Sequence, residues 1–294
     1  MTPPRHVPGR TTVSTPGPTD TGVDRAAVLA WGHADLRDLP WRATRDPWRI
    51  LVAEVMLQQT QVQRVVPRWF EWCAVYPTPQ ALASAPLGDA IVRWHGLGYP
   101  RRARNLHGAA TAIVALHGGE VPQQLDALLA LPGIGRYTAR AVMTFAFEAD
   151  VGVVDTNVAR VLARSAGTAL TPSAAQDRAD SLVPAGEGWL WNQMMMDVGA
   201  RHCRPDPRCD GCPLAGSCRW RASRRAGAPD PAVGSAGVSR RQAPYDGSAR
   251  QARGSLLGDL VAGRRSSAGY DATVVAGLVA DGLVVDRNGE LMLP

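Results

Sequence analysis

The chain has 294 residues, 45% of them apolar, which is room for one large domain or two smaller ones around a buried core. Its formal charge of +6 favours a polyanionic partner, and no apolar run approaches the roughly 18 residues that a membrane span needs. No lysine occurs: all 32 basic residues are arginines. Arginine does not deprotonate to attack a sugar carbon, so Schiff-base chemistry on a lysine is excluded and only the N-terminal amine could substitute.

Residues 1–22 are rich in Pro, Thr and Gly and lack the apolar core of a signal peptide, so they read as a disordered tail on a cytoplasmic protein. In that compartment five cysteines are metal ligands or thiols rather than disulfides. From residue 23 to 221 apolar residues recur at three- and four-residue spacing, as in Leu51, Val55 and Met56 and again in Leu125, Leu128 and Leu129. Pro77, Pro79, Pro86, Pro122, Pro132 and Pro172 punctuate the segments. Strand-like alternation is scarce, so the expected fold class is all-α.

Residues 222–247 are rich in Ala, Gly, Pro, Ser and Arg and read as a linker. Beyond it, 249–262 and 271–281 predict helices, and Leu283–Val285 and Leu291–Leu293 flank an Asn288-Gly289 hairpin turn. Residues 248–294 are thus either a small winged-helix-like module or a tail packed on the main domain without a function of its own.

Three features carry chemistry. Glu54 lies among Val52, Val55 and Met56, where desolvation would keep a carboxyl protonated and fit to act as a general acid. Residues 131–139 place Gly133 and Gly135 in a tight turn that opens a helix, whose N-terminal amides can hold a phosphate, with Tyr137 just inside. Asp155 follows Val151, Val153 and Val154 and looks like a helix N-cap that backbone amides keep ionised. Singly, Glu54 reads as a partly exposed helix residue and Asp155 as a plain cap. Two carboxyls with separated pKa values beside a phosphate-binding turn instead suit cleavage of an N-glycosidic bond.

Cys203, Cys209, Cys212 and Cys218 form a C-x5-C-x2-C-x5-C array. Four thiolates this close answer to zinc or to an iron–sulfur cluster. One central pair with flanking cysteines suits a compact cubane better than the two paired hooks usual for zinc. Arg201, Arg204, Arg208, Arg219 and Arg221 surround the array, as phosphate contacts or as a solvated face. Cys73, among Trp69, Phe70, Trp72, Val75 and Tyr76, reads as a core thiol.

Over about residues 24–220 the chain resembles the adenine DNA glycosylase (MutY) family of helix-hairpin-helix glycosylases. The resemblance rests on Leu39–Arg42, Ala53–Val62, Gly96–Tyr99, Arg102–Leu106, the 131–139 turn, Asp155–Val158, Trp191–Gly199 and the four cysteines. It implies a two-lobed fold with a [4Fe-4S] loop at 203–218, and a monofunctional enzyme that excises adenine mispaired with 8-oxoguanine or guanine. Glu54 would protonate the flipped adenine, and Asp155 would stabilise the oxocarbenium ion with support from Asn157. Tyr137 stands where a bifunctional relative such as endonuclease III has its lysine. Arg42 and Gln193 match positions lining the adenine pocket. Gln59 and Tyr99 match residues that fill the stack and probe the opposite base, with Leu57, Gln58, Gly133 and Gly135 also among the DNA contacts. The partner expected is double-stranded DNA with A:8-oxoguanine or A:G mispairs, met at the nucleoid by a monomer.

The chain departs from the family pattern at three points. The first cysteine spacing has five intervening residues where the family usually has six, and Thr156 stands where a glycine is common. Only residues 226–294 follow Arg225, short of the about 100–150 residues usual for a domain, so no Nudix-like C-terminal domain is expected. Two other functions compete: a thymine or uracil mismatch glycosylase on the same fold, which does not need the Glu54 segment, and a non-enzymatic iron–sulfur DNA-binding regulator. Arg240, Arg241, Arg250, Arg253, Arg264 and Arg265 are expected to add affinity for DNA.

Overall fold

The computed structural model describes residues 22–224, 226–238 and 244–294. The expected tail at 1–22, Gly22 apart, lies outside the described residues, as do Arg240 and Arg241. Among the described residues the chain forms fourteen α-helices and one hairpin. In order these are α1 (Arg25–Asp35), a 3-10 turn (Pro40–Arg42), α2 (Pro47–Leu57), α3 (Val62–Val75), α4 (Pro79–Ala83) and α5 (Leu87–Trp94). Next come α6 (Arg101–His117), α7 (Leu125–Leu129), α8 (Arg136–Phe147), α9 (Thr156–Ala166), α10 (Pro172–Leu182), α11 (Gly188–Arg201) and α12 (Arg219–Arg224). The C-terminal unit is α13 (Ala249–Val261), α14 (Ala272–Ala280), β1 (Val285–Arg287) and β2 (Glu290–Met292). None of the described helices is long and apolar enough to cross a membrane.

Local chemistry explains the boundaries. Asp46 accepts from the amides of Trp48 and Arg49, and Pro47 opens α2 with φ already set. Thr78 and Thr171 cap α4 and α10 in the same way, each followed by proline. Every residue of α2 from Ile50 to Met56 is buried, so this helix is a core strut rather than an amphipathic surface helix. It packs against α3, α6 and α8, while α9 packs against α10, α11 and α12. The two groups meet where α8 touches α11, and one continuous apolar core runs through both.

The C-terminal unit has its own apolar cluster, in which Leu256, Leu257, Leu260, Leu278 and Leu291 close over Ile91 of α5. Its last carbonyl, on Pro294, accepts from the amide of Gly88 at 2.7 Å, and Asp281 pairs with Arg101 and Arg253. The hairpin pairs Val285 with Met292 and Arg287 with Glu290. Asn288 and Gly289 both have positive φ, 55° and 88°, as a two-residue primed turn demands. The hairpin thus follows two helices.

The stretch expected as a linker is tethered over much of its length. α12 runs to Arg224, Asp230 pairs with Arg164, and Ser235 accepts the Leu170 amide while Ala236 donates to the Leu170 carbonyl. Arg164 is 2% exposed, and a buried guanidinium without a counter-ion is costly. Pro/Gly/Ser-rich composition carries no sign of that tertiary demand.

Candidate active site

Glu54 sits on the last turns of α2 and Tyr137 on the first turn of α8, and the packing of these helices brings the two together. The Tyr137 hydroxyl donates to Glu54 Oε2 at 2.6 Å. Burial pushes the Glu54 pKa up to about 7 against the pull of that bond, helped by the nearby Asp155 charge and opposed by Arg42. Burial also raises the Tyr137 phenol well above its ordinary range, next to Glu54 and Asp155, so it stays a donor.

Asp155 caps α9, as its position before the helix predicts. Its Oδ1 accepts the Val158 amide at 2.7 Å and its Oδ2 accepts Asn157 Nδ2 at 2.7 Å. Burial is the larger influence and moves the Asp155 pKa upward, with the Val158 and Asn157 donors and Arg160 opposing. A capping pattern predicts the donors but not the depth at which the cap lies.

Beside this group, Gly133 takes φ +75°, and a Cβ there would lie 2.5 Å from Asn105 Cβ, so the turn needs glycine twice over. Gly135 is the N-cap of α8, with no side-chain cap and nothing within 4 Å of where its Cβ would be. Gln58 donates to Thr138, next to Tyr137, at 3.2 Å. Leu57 is the last residue of α2 and half-buried. Gln59 and Tyr99 share an unusual backbone, with φ of 56° and 49°.

Arg42 and Gln193 are both buried. Arg42 is held by a two-pronged pair to Asp197 at 2.8 and 2.9 Å and by the Arg37 carbonyl, and its Nε alone has no hydrogen-bond partner. Its guanidinium is thus fixed close enough to act on the Glu54 charge.

The four cysteines form no disulfide and line one small cavity of about 30 Å³, walled by Val161, Leu214 and Trp220. Among the described residues no three His, Cys, Asp or Glu side chains are grouped closely enough to hold a single ion. Arg164 donates to Cys203 Sγ at 3.4 Å and to the Arg204 carbonyl at 2.6 Å. Both ring nitrogens of His202, which also lines the cavity, are buried without a hydrogen-bond partner. Cys73 stands apart, buried, with its thiol pushed up to about 12 by desolvation.

Residues 52–184 match the family model described as HhH-GPD superfamily base excision DNA repair protein. An adenine DNA glycosylase of Mycobacterium tuberculosis is 44% identical over 253 residues, spanning 82% of this chain and 81% of that protein. The chain belongs to the adenine DNA glycosylase family. A human adenine DNA glycosylase is 40% identical over 213 residues, or 67% of this chain and 39% of that one. Among solved structures, a thermostable thymine-DNA glycosylase superposes with TM-score 0.63 at 30% identity, covering 68% of this chain and 95% of its own. A non-covalent endonuclease III–DNA complex gives TM-score 0.60 at 26% identity, covering 69% and 99%.

Membership of this family leaves several buried arginines to be explained, because their role is visible only in three dimensions. Arg102 of α6 donates to the carbonyls of Val55, Met56 and Gln58 on one side and of Leu97 and Gly98 on the other. One guanidinium thereby ties the loop carrying Gln59 to the loop carrying Tyr99, and burial lowers its pKa to about 10. Arg160 donates to the Cys203 carbonyl at 2.8 Å and to Asn157 Oδ1 at 2.7 Å, linking the cysteine loop to the residue that holds Asp155. The one sequence signal for Arg160 and Arg164 is their four-residue spacing on α9. Of the arginines around the array, Arg201 is engaged with Asp35 and Arg221 with the Ala215 carbonyl.

Proposed function

We propose that this enzyme excises adenine mispaired with 8-oxoguanine or guanine in double-stranded DNA, hydrolysing the N-glycosidic bond without cutting the strand. The observation that carries this reading is the buried Glu54, with its pKa near 7, facing Tyr137 in a chain without lysine. A carboxyl half-protonated at neutral pH can give its proton to a ring nitrogen of a flipped adenine, so that the base leaves neutral. Electrons of the breaking C–N bond leave with the base, and positive charge builds on the sugar. Asp155, oriented by Asn157 and the Val158 amide, is the anion that offsets this charge. A water then forms the bond to the sugar carbon, and the proton it loses replaces the one that Glu54 gave to the base. Tyr137 occupies the lysine position of bifunctional relatives but offers a hydroxyl that stays protonated, so no imine forms and strand scission does not follow.

Cys203, Cys209, Cys212 and Cys218 are the residues that would hold a [4Fe-4S] cluster. Thiols spread round a cavity, with Arg164 donating to sulfur, suit an anionic multi-atom group better than one zinc ion. When bound, the cluster would cross-link the loop that Arg160 joins to Asn157.

The test is single-turnover base release by the intact protein, read with and without alkali. The duplexes carry A opposite 8-oxoguanine, A opposite G, A opposite T and T opposite G, and Asp155→Asn serves as the blank. Adenine release from the first two, with strand breakage after alkali alone, is the expected result. The likeness to a thymine-DNA glycosylase at 30% identity keeps a second reading in view. Thymine release from T:G with none of adenine would establish it instead.

A further inference from the structure

The C-terminal unit and the helical domain together enclose a cleft that the reaction above does not use. It has a volume of about 700 Å³ and lies between α13 and the segments that flank α5 and open α6. That is ample for a nucleotide unit. Arg64, Arg101, Arg250 and Arg253 line it with His95 and Tyr245, and no carboxylate does. Asp281, outside the lining, pairs with both Arg101 and Arg253. It offsets one charge while fixing two guanidinium groups, so the cleft keeps a positive surplus and two of its cations are pre-aligned.

The position of the cleft says what that surplus is for. Gln59 and Tyr99, both with left-handed backbone, are part of its wall. Gln58, one residue earlier, instead reaches Thr138 beside Tyr137. Consecutive residues at the end of α2 thus divide between the acid site and the cleft, and Arg102 locks both loops in place. A base drawn toward Glu54 from this edge would leave its partner strand on the Gln59 side.

We propose that the cleft binds the sugar-phosphate backbone of the strand opposite the excised base, making residues 244–294 a clamp on that strand. The inference rests on the glycosylase reading and deepens it. The wall supplies point charges and fork-shaped donors, which suit phosphate oxygens. Both units contribute arginines, so closing on phosphate would also strengthen the docking of one on the other.

The probe is a duplex of about 20 base pairs with 2′-fluoro-2′-deoxyadenosine, which resists excision, opposite guanine. Single methylphosphonates replace one phosphate at a time in either strand. Dissociation constants are measured for the full-length protein and for Arg250→Gln, with Tyr245→Ala as a second variant. We expect one or two opposite-strand positions at which a neutral phosphate weakens wild-type binding by about tenfold, the scale of one charge-assisted hydrogen bond. Arg250→Gln should bind the unmodified duplex about tenfold more weakly and lose little more at those positions. Tyr245→Ala should weaken binding in the same sense. Target-strand substitutions should cost all three proteins alike.

Full additivity at every opposite-strand position, or unchanged affinity of Arg250→Gln, would overturn the clamp. So would competition of the Arg250-dependent binding by free deoxyguanosine monophosphate, which would make the cleft a mononucleotide site. Adenine release from an unmodified A:G duplex is followed in parallel. Release with additive penalties removes the clamp alone; non-additive penalties without release remove the adenine reading and keep the clamp.

Discussion

The hydroxyl of Tyr137 donates to the carboxyl of Glu54 across 2.6 Å, inside a site where burial holds Glu54 near pKa 7. That bond is the strongest influence lowering the pKa, so it tunes the carboxyl rather than creating its shift. On the proposed mechanism base release needs Glu54 protonated and should therefore fall as pH rises through about 7. Tyr137→Phe removes the lowering influence and should move this alkaline limb to higher pH. A pH profile of the single-turnover rate on A:G DNA measures both limbs. A limb displaced downward, or not at all, would deny Tyr137 this role.

The same shift predicts a cost in stability. A carboxyl whose pKa rises on folding binds its proton more tightly in the native state. Its contribution is present below the unfolded value of 4.5 and is lost as pH climbs to about 7. At about 1.4 kcal/mol per pH unit the loss approaches an upper bound of about 3 kcal/mol. Glu54→Gln carries no charge to bury. It should abolish base release yet melt higher than wild type at pH 8, with the gain vanishing near pH 5. Thermal unfolding at the two pH values decides it, and a variant less stable at both would refute the argument.

Much of the helical frame was legible because its signals are local. Asp155 before Thr156 announces a cap, Asn288-Gly289 announces a hairpin, and unbroken apolar neighbours announce the burial of Glu54. What escaped is long-range. The Arg102 staple, the docking of Asp281 and the Asp230 partner of Arg164 join residues far apart in the chain, and no period or composition marks them. The upward shift of Asp155 escaped for a related reason, since its neighbours in sequence supply donors and its neighbours in space supply the burial.

The cysteine loop makes a compositional prediction. Protein purified without chelators should be brown and carry about four irons per chain, with zinc absent. Serine at Cys203, Cys209, Cys212 or Cys218 should each lower iron content. Cys73→Ser should leave it intact, because that thiol is buried among Trp69, Trp72 and Tyr76 in the core. Metal analysis with visible spectra tests all five variants, and stoichiometric zinc in the wild type would replace the cluster by a single-ion site.

Close helix contact sets the last expectation. A Cβ on Gly199 of α11 would stand 2.6 Å from Asn157 Cβ and 2.7 Å from the Asn157 carbonyl oxygen, so Gly199→Ala must push α9 or α11 aside. Overpacking of this kind typically costs about 1–3 kcal/mol. The displaced side chain here is the one that donates to Asp155 and accepts from Arg160. The variant should therefore lose base release by more than its loss of stability explains, at a temperature where it remains folded. Arg160→Ala removes the same support without the clash and should lower the rate by about 10–100-fold while binding of the uncleavable duplex holds, as is usual when a supporting partner is lost. Arg160→Lys should recover part of it. Equal rates in wild type and Arg160→Ala would show that Asn157 and the Val158 amide orient Asp155 unaided.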